Sequence, residues 1–257
     1  MPKIVRNDTL NEHYIEYTIE VPEIASHSEP GQLLEVSMSA RSVAVPHAIA
    51  DTDPGKGTVT IVTRLAEAFR IGPLSDNIVL RGPFGLRTVA TGIGKVICVA
   101  DGLGVAALFP RLREYKANDV YTIVIAGFQS SEFVYWVDRL DSVSDELYVI
   151  TDDGSYGIKG PIKNTIRGVC EQDLDIDRAV AIGSLDLLKT CCDITSKYAV
   201  PTVVSLTAML TEDALSITDA SCAPEDRTFD WTTASDLDGH KIDFGELTQK
   251  LGNQMAK

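Results

Sequence analysis

The stretch of this sequence best suited to chemistry is the turn Ala100-Asp101-Gly102-Leu103-Gly104-Val105. It follows the apolar run from Lys95 to Val99 and precedes a helix-forming stretch to Pro110, so it reads as strand, tight turn and helix. In an open α/β unit such a turn lies at the carboxyl end of a strand, where free N–H groups and the helix dipole favour a phosphate. Gly102 and Gly104 supply the backbone freedom and close approach that this chemistry needs. Asp101 opposes it, because its carboxylate brings negative charge to the place of a pyrophosphate. Ala100 also stands where a further glycine would ideally be.

Other reactive residue types give weaker patterns. The five cysteines, Cys98, Cys170, Cys191, Cys192 and Cys222, contain no C-x-x-C pair, so no zinc ribbon or cluster motif can be written. Cys98, Cys191 and Cys192 lie in apolar segments and read as reduced core residues. His47 and His240 stand alone, and a lone histidine is more often a hydrogen-bonded structural residue than an acid–base catalyst. Asp152 and Asp153, followed by Gly154 and Ser155, have the composition of a turn. No Ser/His/Asp or Cys/His arrangement defines a nucleophilic site.

These residues need elements to hold them. With 257 residues, 44% of them hydrophobic, the chain has enough apolar surface for two ordinary domains. Its 23 basic and 37 acidic residues leave a net charge of −14, which argues against a nucleic-acid partner. No apolar run has the length of a membrane helix, and the start lacks the basic-then-apolar pattern of a signal peptide, so no membrane insertion and a cytoplasmic location are expected. Residues 1–90 alternate short strands with turns at Pro30-Gly31 and Asp53-Pro54-Gly55, the pattern of a small antiparallel barrel closed by Ile78 to Gly85. Over residues 91–210, strand-like runs at Val120 to Ala126, Glu146 to Ile150, Arg178 to Ile182 and Thr202 to Leu206 are separated by stretches of helical length. That spacing predicts a doubly wound parallel sheet. Residues 211–257 form a polar stretch without clear period, then a helix from Phe244 to Leu251.

A β-barrel followed by a parallel α/β unit resembles the ferredoxin reductase superfamily. The segments Pro30-Gly31-Gln32, Gly82-Pro83-Phe84-Gly85, Thr151 to Gly157 and Asp238-Gly239-His240 narrow the likeness. They resemble the small subunits of NADH-dependent reduced ferredoxin:NADP oxidoreductase and sulfide dehydrogenase, and more distantly the electron-transfer subunit of dihydroorotate dehydrogenase. The resemblance covers nearly the whole chain. It implies FAD in the barrel, NAD(P) on the second unit, a [2Fe–2S] cluster near the C-terminus and a larger partner subunit.

Residue by residue, the same resemblance implies losses. Where the family carries an arginine and a hydroxyl around Pro46 for the flavin, this chain has Ala44 and Ala48, with His47 between them. Where the family has a Gly-Lys-x-Thr segment for the flavin phosphates, it has Ala66, Glu67, Ala68 and Phe69, although Arg41, Arg64 or Arg70 offers a replacement cation. The glycine-rich nucleotide turn is altered at Ala100 and Asp101, and the cluster positions hold Thr211, Ser216, Asp219 and Trp231, leaving Cys222 alone. A [2Fe–2S] cluster is therefore expected to be absent. If FAD or NAD(P) is retained, the resemblance places its contacts on Pro46, His47, Ala48, Gly82, Pro83, Gly102, Gly104 and Asp153. Losses at contact residues with retention of strands and turns predict a non-catalytic reductase-like subunit that docks on a larger flavin or iron–sulfur subunit. The alternatives are an electron-transfer flavoprotein lacking only the cluster, and a regulatory sensor of a nucleotide at Asp101.

Overall fold

The computed structural model describes residues 2–37, 44–65, 78–88, 90–172, 175–205 and 237–245. Its first part contains strands β1 (Lys3–Thr9), β2 (Tyr14–Glu20), β3 (Leu33–Ser37), β4 (Val45–Ala48), β5 (Asp51–Asp53), β6 (Thr58–Arg64) and β7 (Val79–Phe84), with helix α1 (Pro22–His27) after β2. They form two antiparallel ladders, β1-β2-β6-β5 and β4-β3-β7, in a barrel-like arrangement.

The second part is one seven-stranded sheet. Its elements are β8 (Lys95–Asp101), α2 (Gly104–Ala117), β9 (Tyr121–Phe128), α3 (Val137–Asp141), β10 (Glu146–Thr151), β11 (Ile158–Lys159), α4 (Ile162–Gln172), β12 (Arg178–Ile182), α5 (Leu185–Thr195), β13 (Thr202–Ser205) and β14 (Leu237–Asp238). Strand order is β11-β10-β9-β8-β12-β13-β14, parallel throughout except for β14, which pairs antiparallel with β13 at the edge. The expected doubly wound sheet is present and is mixed at that one edge. The expected helix from Phe244 to Leu251 lies mostly outside the described residues.

Two-residue periodicity explains how these layers pack. On β8, Ile97 and Val99 face the layer containing α4 and α5, whereas Val96, Cys98 and Ala100 face the layer containing α2. Both faces are covered, which is why the strand is a continuous apolar run. On β2, Ile15, Tyr17 and Ile19 fill the barrel core, while Tyr14 points outward and joins the cluster around α2. Val62 on β6 and Ala50 join the same cluster, so the two parts share one apolar seam.

Between β9 and β10 the crossover is not a full helix. It consists of a 3-10 turn at Ser131–Phe133 and the five-residue α3, because Phe133, Tyr135 and Trp136 are used to fill the seam. Trp136 adopts φ 59°, a left-handed conformation that bulky residues rarely take. That backbone places its indole under the Arg139 guanidinium, 3.9 Å from the ring centre, and lets Nε1 donate to Glu16 Oε2 at 2.9 Å. Arg139 also lies 4.5 Å from the centre of the Phe109 ring, and bonds Glu16 at 3.3 Å and Asp51 at 2.6 Å. Arg113 pairs with the other oxygen of Asp51.

Glu16 is only 9% exposed, so removing its cation leaves a carboxylate short of partners. Arg139→Ala is expected to lower unfolding stability by about 2 kcal/mol, with Arg139→Lys recovering only part of it because an ammonium cannot fork between two carboxylates. Urea unfolding of the three proteins checks this, and an Arg139→Ala midpoint equal to that of the parent would contradict it.

Candidate functional site

The chain runs from β8 outward to β9 and β10, then returns across the sheet to β12 on the other side of β8. The reversal lies between β8 and β12, and a crevice at the carboxyl ends of the strands is where open α/β sheets bind ligands. A cleft of about 610 Å³ opens there. Asp101, Gly102, Gly127, Phe128, Gln129, Asp152 and Ser184 line it from the sheet, and Glu12, His13, Tyr14 and Arg64 from the barrel-like part.

Asp101 does not point back at its own helix. Its Oδ1 accepts the Ser184 backbone N–H at 2.7 Å, and its Oδ2 accepts the Ser184 hydroxyl at 2.6 Å. Ser184 is the N-cap of α5, and its Oγ in turn accepts the Leu187 N–H. The carboxylate thus sits at a helix N-terminus, where a negative charge is favoured. Burial raises the Asp101 carboxyl above the usual range, against the lowering effect of the two Ser184 bonds. Gly183, at φ +153°, makes room for it: a Cβ there would lie 1.8 Å from Oδ1.

The start of α2 is occupied from within the protein as well. The Tyr135 hydroxyl accepts the Ala106 N–H at 3.1 Å and donates to the Gly102 carbonyl at 2.9 Å. The Val105 N–H also turns back on Gly102 O. Gly104 is required for packing, since a Cβ would come within 2.1 Å of the Ile182 carbonyl on β12. Gly102 takes φ +50° to make the turn.

On the opposite wall the His13 ring stacks on Phe133, with centroids 3.8 Å apart and planes 6° from parallel. Its Nε2 is buried and makes no hydrogen bond among the described residues.

The other sequence candidates fall elsewhere. Pro46 and His47 are buried in β4, whose Ala48 pairs with Leu33 of β3. His47 Nδ1–H donates to the Val45 carbonyl at 3.0 Å, and burial pulls its pKa down to about 4. Gly82 and Pro83 line a separate cleft beside α1, with Glu23, His27 and Arg81. Asp153 is exposed and accepts the Ser155 N–H and hydroxyl, bonds that lower its pKa. It closes the turn rather than facing the cleft, and the turn is further tied by Thr151 Oγ1 to both backbone groups of Tyr156. Of the eight candidates only Gly102 lines the cleft.

His240 Nε2 lies 3.3 Å from Thr195 Oγ1, and Gly239 packs against Cys192 and Val204, so the Asp238-Gly239-His240 segment docks onto α5 and β13. Cys98, Cys170, Cys191 and Cys192 are buried free thiols. Burial pushes Cys98 and Cys192 up to about 12, and Cys170 and Cys191 upward, which keeps all four protonated. No group of three metal-ligating side chains occurs among the described residues. Arg41, the segment Ala66 to Phe69, Arg70, Thr211, Ser216, Asp219, Cys222 and Trp231 lie outside the described residues.

No family model matches the chain. It is 30% identical over 227 residues to an uncharacterised protein of Clostridium beijerinckii encoded in the adh 3' region, covering 82% of this chain and 76% of that one. It is also 30% identical over 187 residues to the probable dihydroorotate dehydrogenase B (NAD(+)) electron transfer subunit of Methanopyrus kandleri, covering 72% and 70%. The chain belongs to the family of dihydroorotate dehydrogenase B electron transfer subunits. A homologous member from Thermotoga maritima is 26% identical over 82% of this chain. The solved NADH-dependent reduced ferredoxin-NADP oxidoreductase superposes with a TM-score of 0.82 over 98% of this chain and 93% of its own, at 23% identity, which shows the ferredoxin reductase-like fold.

Within that family fold, Glu12, His13, Phe133 and Ser184 are cleft residues that sequence reasoning did not single out. Ser184 alone carried a local signal, as a serine opening an apolar helical stretch with Asp186 in its first turn.

His47 gives a testable pH dependence. Its folded pKa is about 4 against an ordinary value of 6.5, so between these values the unfolded chain binds a proton that the folded one does not. Stability then falls as pH drops through this window, by roughly 3 kcal/mol in full. Urea midpoints measured across the window are expected to fall for the parent and to fall less for His47→Gln. Equal slopes for the two proteins would refute the assignment.

Proposed function

We propose that this chain is a cofactor-depleted, non-catalytic member of its family that docks on a larger flavin or iron–sulfur oxidoreductase subunit and stabilises or regulates it. The observation that carries the reading is the Asp101–Ser184 contact, which puts a protein carboxylate at the sheet reversal where a dinucleotide would bring its phosphates. Three carboxylates, Glu12, Asp101 and Asp152, line the cleft against the Arg64 guanidinium. The residues present do not fit a dinucleotide there.

The flavin position points the same way. His47 is buried and neutral at ordinary pH, so it offers no cation to a diphosphate, and the flanking Ala44 and Ala48 carry no polar group. At the sequence level the cluster positions hold Thr211, Ser216, Asp219 and Trp231, none of which supplies a thiolate. We assign residues 1–90 and 91–210 to the barrel-like and α/β domains and 211–257 to a former cluster segment, and place the protein in the cytoplasm. What remains intact is a scaffold: two units joined by an ionic and aromatic seam, with the tied turn from Thr151 to Gly157 at one end of the sheet.

Purification of the full chain with its natural partner tests this. The chain itself is expected to carry no flavin absorbance and no iron or sulfide, and to elute with a larger subunit whose yield drops when this chain is deleted. Stoichiometric FAD on this chain together with NAD(P)H oxidation would overturn the reading in favour of a working flavoprotein that lacks only the cluster.

A further inference from the structure

We propose that the Asp101 carboxylate is a built-in substitute for a ligand's phosphate: it occupies the anion position at the start of α5 and bars a nucleotide's phosphate from the Ser184 donors. The inference deepens the proposed function, on which it rests for the statement that the native chain binds no dinucleotide.

The geometry has three parts. First, the donors that Asp101 engages are the Ser184 backbone N–H and hydroxyl, at 2.7 and 2.6 Å, and these are the donors that a helix N-terminus offers to a phosphate oxygen. Second, the backbone is shaped around the carboxylate. Gly183 takes φ +153°, and its missing Cβ leaves the space where Oδ1 sits. Third, the remainder of the cleft is still built to hold a ligand. It keeps a volume of about 610 Å³, the flat His13–Phe133 stack on one wall and a guanidinium at Arg64. A nucleoside diphosphate would meet an aromatic surface, a cation and a helix N-terminus whose donors Asp101 holds, with Glu12 and Asp152 also in the lining.

A carboxylate on the anion position excludes phosphate twice, by occupying the donors and by repelling a like charge across a few ångströms in a half-enclosed cleft. Removing the side chain leaves both Ser184 donors facing the cleft and relieves the repulsion.

The experiment is titration of the full chain with NADH, NADPH and inorganic pyrophosphate, followed by calorimetry and by the shift in melting temperature. The parent is expected to show no saturable binding. Asp101→Gly is expected to bind NADH or NADPH at least about tenfold more tightly than the parent's detection limit, with pyrophosphate competing. Asp101→Asn keeps the shape of the side chain without its charge, and is expected to fall between the two. It also serves if the glycine variant does not fold. A folded Asp101→Gly protein that binds no nucleotide, or an Asp101→Asn protein no different from the parent when the glycine variant is unfolded, overturns the inference and leaves the proposed function standing. Flavin on the parent, with nucleotide binding gained only in Asp101→Gly, would overturn the proposed function and leave the inference standing. Parent binding equal to that of Asp101→Gly would overturn the inference and the exclusion of dinucleotide from the native chain.

Discussion

The Arg139 guanidinium ties the two parts of this protein together, and the cleft lies between those parts. Period-two alternation on β2 sends Ile15, Tyr17 and Ile19 into the barrel core and leaves Glu16 on the outer face, against the α/β part. A carboxylate at that place is costly unless a cation answers it. Arg139 does so while also bonding Asp51 and lying on the faces of Trp136 and Phe109. Charge, aromatic stacking and a planar fork all favour arginine here. One wall of the cleft comes from β2, β6 and their flanking residues and the other from the ends of the parallel strands, so its shape depends on the seam to which this contact belongs.

The central turn keeps the outline of a phosphate site and fills it with protein groups. Gly104 lets α2 approach the Ile182 carbonyl, the Tyr135 hydroxyl takes the Ala106 N–H, and Asp101 takes the donors of Ser184. The Tyr135 and Asp101 contacts satisfy donors at the starts of α2 and α5, and the Gly104 approach serves packing. Glycines that look like ligand residues are therefore held in place by packing. The motif persists as architecture, and its presence is no measure of nucleotide affinity.

What the sequence disclosed and what it hid follow from range. The runs at β8 and β12 are legible because strands buried on both faces are apolar without interruption, and β2 and β6 because they alternate. Asp153 is legible as a turn residue, since its partner Ser155 is two positions away. Asp101 is legible as a negative charge in the turn, but its direction is not: Ser184 is 83 positions distant, and nothing near Asp101 announces it. The Asp51–Arg139 bond spans 88 positions and left no trace either. The resemblance sets His47 beside a flavin, whereas its burial arises from the ladder partners of β4, which one strand's pattern does not reveal. Between β9 and β10 the length of the connection suggests a helix, whereas its residues form a 3-10 turn, a short helix and aromatic packing.

Trp136 gives the molecule an internal light source at its most informative point. The sequence has two tryptophans, and Trp136 is the one whose indole donates to Glu16 from the other half of the fold while a guanidinium lies against its face. Its emission depends on that hydrogen bond and on the nearness of charge, both of which vanish when the halves part. The seam between barrel and sheet therefore carries its own optical gauge, readable without any label and sensitive to whatever a partner does to the distance across it.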